Sequence, residues 1–320
     1  MPFATHSLLG HLFQAKGMTL PEGDLEDKTV IITGSNVGIG KAAALHLAKR
    51  NPARLILAVR DEKAGQAAAA EIAKATGGKV EPEVFLLDMS SFASVRRFVL
   101  ECEQRLDRLD VFIANAGIYP FSYKATADGL ESALQVNVAS TLLLSELLLP
   151  LLQRTAKSPL HGIPSKPHLT IVSSYTHHFI GELRGFGDGT IVQCANDEQA
   201  WEHLAYRRGK AILMLAIPTL VKMAGPDVVV TTADPGTVAT NAMHEATGLN
   251  ALAIAVFVYC VARTPVQGAL PVVWAALAPI QSGEYVADCK VTPPSAMVQS
   301  DTDGSISDSI WKELRAIWAK

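Results

Sequence analysis

Charge is scarce in this chain: 18% of its 320 residues are Asp, Glu, Lys or Arg, and they nearly cancel, to a net −3. That balance removes any electrostatic ground for binding nucleic acid or an anionic membrane. Cysteine is scarce as well. Cys102, Cys194, Cys260 and Cys289 stand apart without metal-ligand spacing and read as reduced, mostly buried thiols of an intracellular protein. Long apolar runs are missing too. The most apolar, residues 249–262, falls short of the ~20 residues that span a bilayer, and reads as buried chain or a flap over a substrate. The first twenty residues hold no continuous signal-type core; Leu8, Leu9, Leu12 and Phe13 read as a short amphipathic helix packed on the domain. A cytoplasmic location is the expectation, with membrane-surface contact as the lesser alternative. There are no internal repeats. Apolar residues are abundant instead, at 49%, enough for a large core and too many for disorder.

From residue 28 onward short apolar runs alternate with helical patterns. Runs at 29–33, 54–59, 84–87, 109–113, 169–173 and 228–232 read as strands, and 40–50, 62–76, 92–106, 130–154 and 202–223 as helices. Strands without polar–apolar alternation, each followed by a helix, describe an α/β fold: a doubly wound parallel sheet covered on both faces, with its ligand at the carboxyl edge. The expected organisation is an N-terminal extension (1–27), one catalytic domain (28–295) with a substrate flap near 241–264, and a tail helix (296–320). Trp311, Leu314, Ile317 and Trp318 form one face of that tail helix. Pro218 should kink the helix it interrupts.

Chemistry gathers at the strand ends. Thr33-Gly34-Ser35-Asn36-Val37-Gly38-Ile39-Gly40 joins the first strand to the first helix, where glycines let backbone approach a pyrophosphate that faces a helix N-terminus. The second strand ends in Val59, where a carboxylate would hold a ribose 2′-hydroxyl, and Arg60 follows. A guanidinium suits a 2′-phosphate, so NADP(H) is expected over NAD; Asp61 reads as a helix cap. Asp88, with Met89 beside it, ends the third strand within reach of an adenine amino group or as a cap. Asn115-Ala116-Gly117 turns sharply after the fourth, passing backbone close to a ribose or serving as a structural turn.

Asn137 sits among apolar residues in a long helix. It must satisfy its amide, either by a local backbone bond or at a helix break that holds a proton-relay water. Ser174 ends the fifth strand and is placed to contact a carbonyl oxygen. Tyr206 and Lys210 lie four residues apart on one helix face, so the ammonium can lower the pKa of a phenol that is ordinarily near ~10. Asp234-Pro235-Gly236-Thr237-Val238-Ala239-Thr240 follows the sixth strand as a turn over a nicotinamide. His177-His178 reads as a polar loop feature, since no third metal ligand has suitable spacing.

Together Thr33-Gly34-x-x-x-Gly38-Ile39-Gly40, Asn115-Ala116-Gly117, Asn137, Ser174, Tyr206-x-x-x-Lys210 and Pro235-Gly236-x-Val238-x-Thr240 resemble a short-chain dehydrogenase/reductase over about residues 27–294. Leu57-Ala58-Val59-Arg60 and Tyr285-Val286-Ala287-Asp288-Cys289 are similar to its retinol-dehydrogenase-like and fungal secondary-metabolism branch. The resemblance implies a single-domain Rossmann fold and the transfer of a hydride between a nicotinamide, NADP(H) on the reading of Arg60, and a ketone, aldehyde or secondary alcohol; the apolar stretch 246–262 suggests a hydrophobic carbonyl or alcohol as substrate. By the same resemblance Tyr206 is the acid/base, and Lys210 lowers its pKa and binds the ribose. Ser174 orients the carbonyl, Asn137 holds a relay water, and Pro235, Gly236, Val238 and Thr240 contact the cofactor. No metal is implied. The alternative on this scaffold is a non-redox isomerase, dehydratase or cyclase. The resemblance suggests a homodimer or tetramer through the long helices, with Leu143, Leu144, Leu147, Leu148 and Leu151 offering the surface or else filling the core; Pro218 and the C-terminal extension leave a monomer open.

Overall fold

β1, Thr29–Thr33, is buried along its whole length, because every second residue serves a different core. Ile31 packs on one face of the sheet with Ile56 and Phe112, while Val30 and Ile32 pack on the other with Leu57 and Ile113. A strand covered on both sides has no solvent face to spend on polar residues. The computed structural model, which describes residues 17–186, 188–201, 204–239 and 262–319, builds a sheet of eight strands from such runs. β2 is Arg54–Val59, β3 Glu83–Leu86, β4 Val111–Ala114, β5 His168–Val172 and β6 Val229–Asp234. The order is β3-β2-β1-β4-β5-β6, followed by β7 (Tyr285–Ala287) and β8 (Lys290–Val291). All pairs are parallel except β7 with β8. The order reverses at β1, where its neighbours are β2 and β4, and the doubly wound sheet expected from the sequence is the one observed.

Helices α1 (Gly38–Ala48) and α2 (Glu62–Ala75) cover one face and α3 (Phe92–Arg105) the other. The long helix read over 130–154 is interrupted. α4 (Ser132–Leu134) runs into a π-helical turn, Gln135–Ala139, before α5 (Ser140–Ala156) resumes, and Thr141 Oγ1 bonds the Val136 carbonyl at 2.9 Å within it. Ser132–Ala156 is long and apolar enough to cross a membrane, yet most of its apolar window is buried inside the fold. The leucines offered as a dimer surface are spent here: Leu143, Leu144, Leu148 and Leu151 are buried and Leu147 is packed against the same core. Of the two readings of these leucines, filling the core is the one observed.

After α6 (Ile191–Ala195), the helix read over 202–223 divides into α7 (Ala205–Leu215) and α8 (Ile217–Ala224). Pro218 sits in the first turn of α8, where its missing N–H costs nothing. The Ala216 carbonyl at the break accepts the Trp311 indole N–H at 2.9 Å. Trp311 belongs to the terminal helix α11 (Ser305–Trp318), which follows α9 (Pro265–Leu277) and α10 (Ala296–Ser300). The apolar face expected for the tail helix is present: Ile310, Trp311 and Leu314 are buried, and Trp311 meets Trp318 edge-on. Of the segment read as a flap, 241–264, residues 241–261 lie outside the described residues, as do the N-terminal residues read as an amphipathic helix, Thr240 and Cys260.

Candidate active site

The carboxyl ends of β1, β2, β4, β5 and β6 open into one cleft of about 900 Å³. At the β1 end, Gly34 and Gly38 take φ of 64° and 60°, a region that L side chains rarely enter. Gly40 is needed for a different reason. A Cβ there would stand 2.3 Å from the Gly34 carbonyl oxygen and 2.5 Å from Asn115 Nδ2. Val37 caps α1 without a side-chain hydrogen bond, and no acidic residue lies in the first turn, so the helix's leading N–H groups remain available to an anion. Asn36, Val37, Gly38 and Ile39 line the cleft. Ser35, expected there, is instead fully buried and donates its hydroxyl to the Ile32 carbonyl at 2.9 Å: it closes the turn from behind.

Next along the cleft come Arg60, Asp88, Met89, Asn115, Ala116 and Gly117. Arg60 is exposed at the tip of β2. The neighbouring Asp61 carboxylate caps α2 by accepting the Ala64 N–H at 3.1 Å. Asp88 Oδ1 accepts the Ser90 N–H and hydroxyl at 2.9 and 2.6 Å, shaping the turn before α3 while Ser91 caps that helix. Asn115 Nδ2 donates to the carbonyls of Thr33 and Gly34 at 2.9 and 3.3 Å, and Thr33 Oγ1 accepts the N–H groups of Asn115 and Ala116. The Asn-Ala-Gly turn thus braces the glycine loop from beneath.

Ser174, Tyr206 and Lys210 converge where β5 and β6 end. Lys210 is 4% exposed, donates to the Val172 carbonyl at 2.7 Å, and lies 5.8 Å from the Tyr206 ring centre. Burial pulls its ammonium down to about 8, and the Asp234 carboxylate opposes that fall. Tyr206 is half-buried. Desolvation pushes its phenol up to about 12, and Ser174, within hydrogen-bonding reach, pulls it back. The phenol is therefore raised, where proximity to lysine predicts a fall. Asp234, 4% exposed, accepts the Gly236 N–H at 3.0 Å and is itself raised to about 6 by burial. The Ser174 hydroxyl oxygen accepts both the N–H and the hydroxyl of Thr176, at 3.3 and 3.1 Å, which leaves its own proton to be donated toward the cleft.

Asn137 does not reach the cleft with a free amide. Its Oδ1 accepts the Ile118 N–H at 2.8 Å and its Nδ2 donates to the Ile118 carbonyl at 2.9 Å. The helix break expected around it is present, while the side chain pins the loop after β4. Pro235, Gly236 and Val238 line the far wall. The Arg263 guanidinium, bonded to the Pro235 carbonyl at 3.1 Å and paired with Asp288, fills the space a Cβ on Gly236 would take. Asp234 entered only as the first residue of the turn after β6, and Thr176 and Arg263 carried no motif of their own. Nor did Tyr119, whose ring packs 4.9 Å from that of Tyr206 and 5.4 Å from that of Phe121.

A family model for short chain dehydrogenases matches residues 28–159. Over 311 residues the chain is 33% identical to the short chain dehydrogenase/reductase dmxR8 of Cryptosporiopsis sp. (strain 8999), across 93% of both chains. The chain belongs to the short-chain dehydrogenase/reductase family. Its likeness to the retinol-dehydrogenase-like branch is borne out by Retinol dehydrogenase 14 of Mus musculus, 33% identical over 307 residues, 90% of this chain and 85% of that one. Among solved structures, an uncharacterized protein from Mycobacterium paratuberculosis superposes with a TM-score of 0.68 at 25% identity, covering 93% of this chain and 96% of that one. An alcohol dehydrogenase from the archaeon Thermococcus sibiricus, complexed with 5-hydroxy-NADP, shares the fold at a TM-score of 0.57 and 22% identity, covering 80% and 94%. Short-chain dehydrogenases/reductases are oxidoreductases that use nicotinamide cofactors. The cleft fits such a group: glycines hold the space open, an uncapped helix start faces it, and a buried ammonium stands at the end where the strand-end hydroxyls gather.

Proposed function

We propose that this short-chain dehydrogenase/reductase moves a hydride between NADP(H) and a ketone, aldehyde or secondary alcohol. The observation that carries the reading is the convergence of Ser174, Tyr206 and Lys210 on the same cleft as the glycine loop. When bound, the nicotinamide supplies or accepts the hydride. Gly34, Asn36, Gly38, Ile39 and Gly40 would hold its pyrophosphate; Arg60, Asp88, Met89, Asn115, Ala116 and Gly117 its adenosine half; and Pro235, Gly236 and Val238 its nicotinamide side. Arg60 favours the 2′-phosphate because Asp61, the neighbouring carboxylate, is committed to capping α2.

In the reductive direction Ser174 donates its hydroxyl proton to the carbonyl oxygen and orients it. Tyr206 protonates the oxygen as negative charge develops there. Lys210 stands beside the phenol and favours its ionised form, which returns the proton in the reverse reaction. Asn137 shapes the site by pinning Ile118. Tyr119 and Tyr206 give the cleft an aromatic wall, with Phe121 packed against Tyr119, which supports a hydrophobic carbonyl substrate, one of secondary-metabolite type. Tyr206→Phe should remove turnover of NADPH with phenanthrenequinone or another apolar ketone by ~10²- to 10⁴-fold while leaving NADPH binding intact. Turnover equal to wild type would refute the acid/base assignment.

A further inference from the structure

The two adjacent histidines after Ser174 take separate places. His178 is exposed, whereas His177 is wholly buried, so His177 departs from the polar-loop reading. Its Nδ1 lies 2.6 Å from the Ser174 carbonyl oxygen and its Nε2 3.1 Å from the backbone nitrogen of Ser295. A carbonyl oxygen can only accept and a backbone N–H can only donate. Nδ1 must therefore carry the ring proton and Nε2 must be bare, the neutral tautomer. The ring is clasped on its other sides: His178 stacks at 4.2 Å and Tyr285 of β7 meets it edge-on at 5.0 Å. Ser295, at the far end, begins α10 by accepting the Val298 N–H on its hydroxyl. One side chain thus joins the peptide of the residue proposed to orient the carbonyl to the chain that folds back after the last strand.

We propose that His177 is a positioning residue: its neutral ring ties the Ser174 peptide to Ser295 and so fixes the direction of the Ser174 hydroxyl. The proposal rests on the reading of Ser174 given above. Polar groups with one donor and one acceptor role each, sealed from water, have no other partner to turn to. Burial also holds the imidazole at about 4, which keeps it unprotonated at neutral pH.

Four variants, each carried through thermal melting, NADPH binding and turnover of phenanthrenequinone, test this. His177→Leu keeps bulk and removes both bonds; kcat should fall by ~10- to 100-fold, the scale of a small misplacement of a reacting group, with NADPH affinity within about twofold. His177→Gln, whose amide both donates and accepts, should recover most of the loss. At the far end Ser295→Ala keeps the N–H and should keep kcat. Ser295→Pro removes it at a φ of −59° that proline tolerates and should lose kcat like His177→Leu. The proposal is overturned if His177→Leu turns over like wild type, or if Ser295→Pro matches Ser295→Ala. Ser174→Ala separates the two readings: if it leaves kcat intact, the role of Ser174 fails, whereas an inactive Ser174→Ala beside active His177 and Ser295 variants sinks the proposal alone. NMR of the ring nitrogens, which needs no turnover, should show His177 neutral with the proton on Nδ1 at pH 6; a protonated ring there also overturns it.

Discussion

Lys210→Met should reveal that the residue proposed to assist catalysis destabilises the fold. Burial lowers the Lys210 pKa from 10.5 to about 8. At ~1.4 kcal/mol per tenfold, that fall is worth about 3 kcal/mol. Between those two values the unfolded chain holds more protons than the native one, so native stability rises with pH through that window. Below pH 8 both states carry the ammonium, and the full cost of burying it is present. Methionine keeps the apolar stem and removes the charge, though it strands the Val172 carbonyl, which costs back ~1–3 kcal/mol. The sign of the difference at pH 7.5 therefore depends on the smaller term. Its change with pH does not. By pH 9.5 wild type should have recovered about 2 kcal/mol relative to Lys210→Met. Urea unfolding of both proteins at pH 7.5 and 9.5 measures it, above the range near 6 where Asp234 titrates. A gap that is the same at both pH values would refute a buried, destabilised ammonium.

Other outcomes follow from neighbouring contacts. Arg60→Ala should weaken the preference for NADP over NAD by ~10- to 100-fold, the scale of one or two charge-assisted hydrogen bonds. Asp61→Ala should instead cost about 1 kcal/mol of stability through the lost cap and leave the preference alone; dissociation constants for both cofactors check the pair. Gly40→Ala, with no room beside the Gly34 carbonyl, should cost ~1–3 kcal/mol and weaken cofactor binding, and an unchanged melting temperature would refute the close approach. Trp311→Phe removes the donor to the Ala216 carbonyl and should lower the urea midpoint by an amount equivalent to ~1–3 kcal/mol.

The strands from β1 to β6 were legible because a parallel sheet covered on both faces demands unbroken apolar runs, and these stand out against polar surroundings. β7 and β8 were not legible as strands. They span three and two residues, and their turn places Asp288 and Cys289 at φ of 53° and 56°, where Asn or Gly would have signalled a hairpin. The π-helical turn was legible only as one of two readings of Asn137, because an asparagine among apolar residues can also satisfy its amide locally in an unbroken helix. Within the site, the residues with motif spacing lay where the order of strands implied. Ser35 and Asn137 share those motifs but direct their side chains into the scaffold, since motif spacing fixes backbone position and leaves side-chain direction to the packing. Thr176 left no readable signal, while Asp234 and His177 were legible only as parts of a turn and a loop, and the partner that places His177, Ser295, lies 118 residues further on.

The indole that bonds the Ala216 carbonyl comes from a residue 95 positions further along the chain. Within its own helix the same carbonyl holds only the longer bond from the Leu220 N–H, at 3.4 Å, so the elbow beyond Tyr206 and Lys210 is fastened by a strap from far along the chain. A chain cut back before Ser305 should leave that elbow open to protease, where the chain bearing Trp311 keeps it closed.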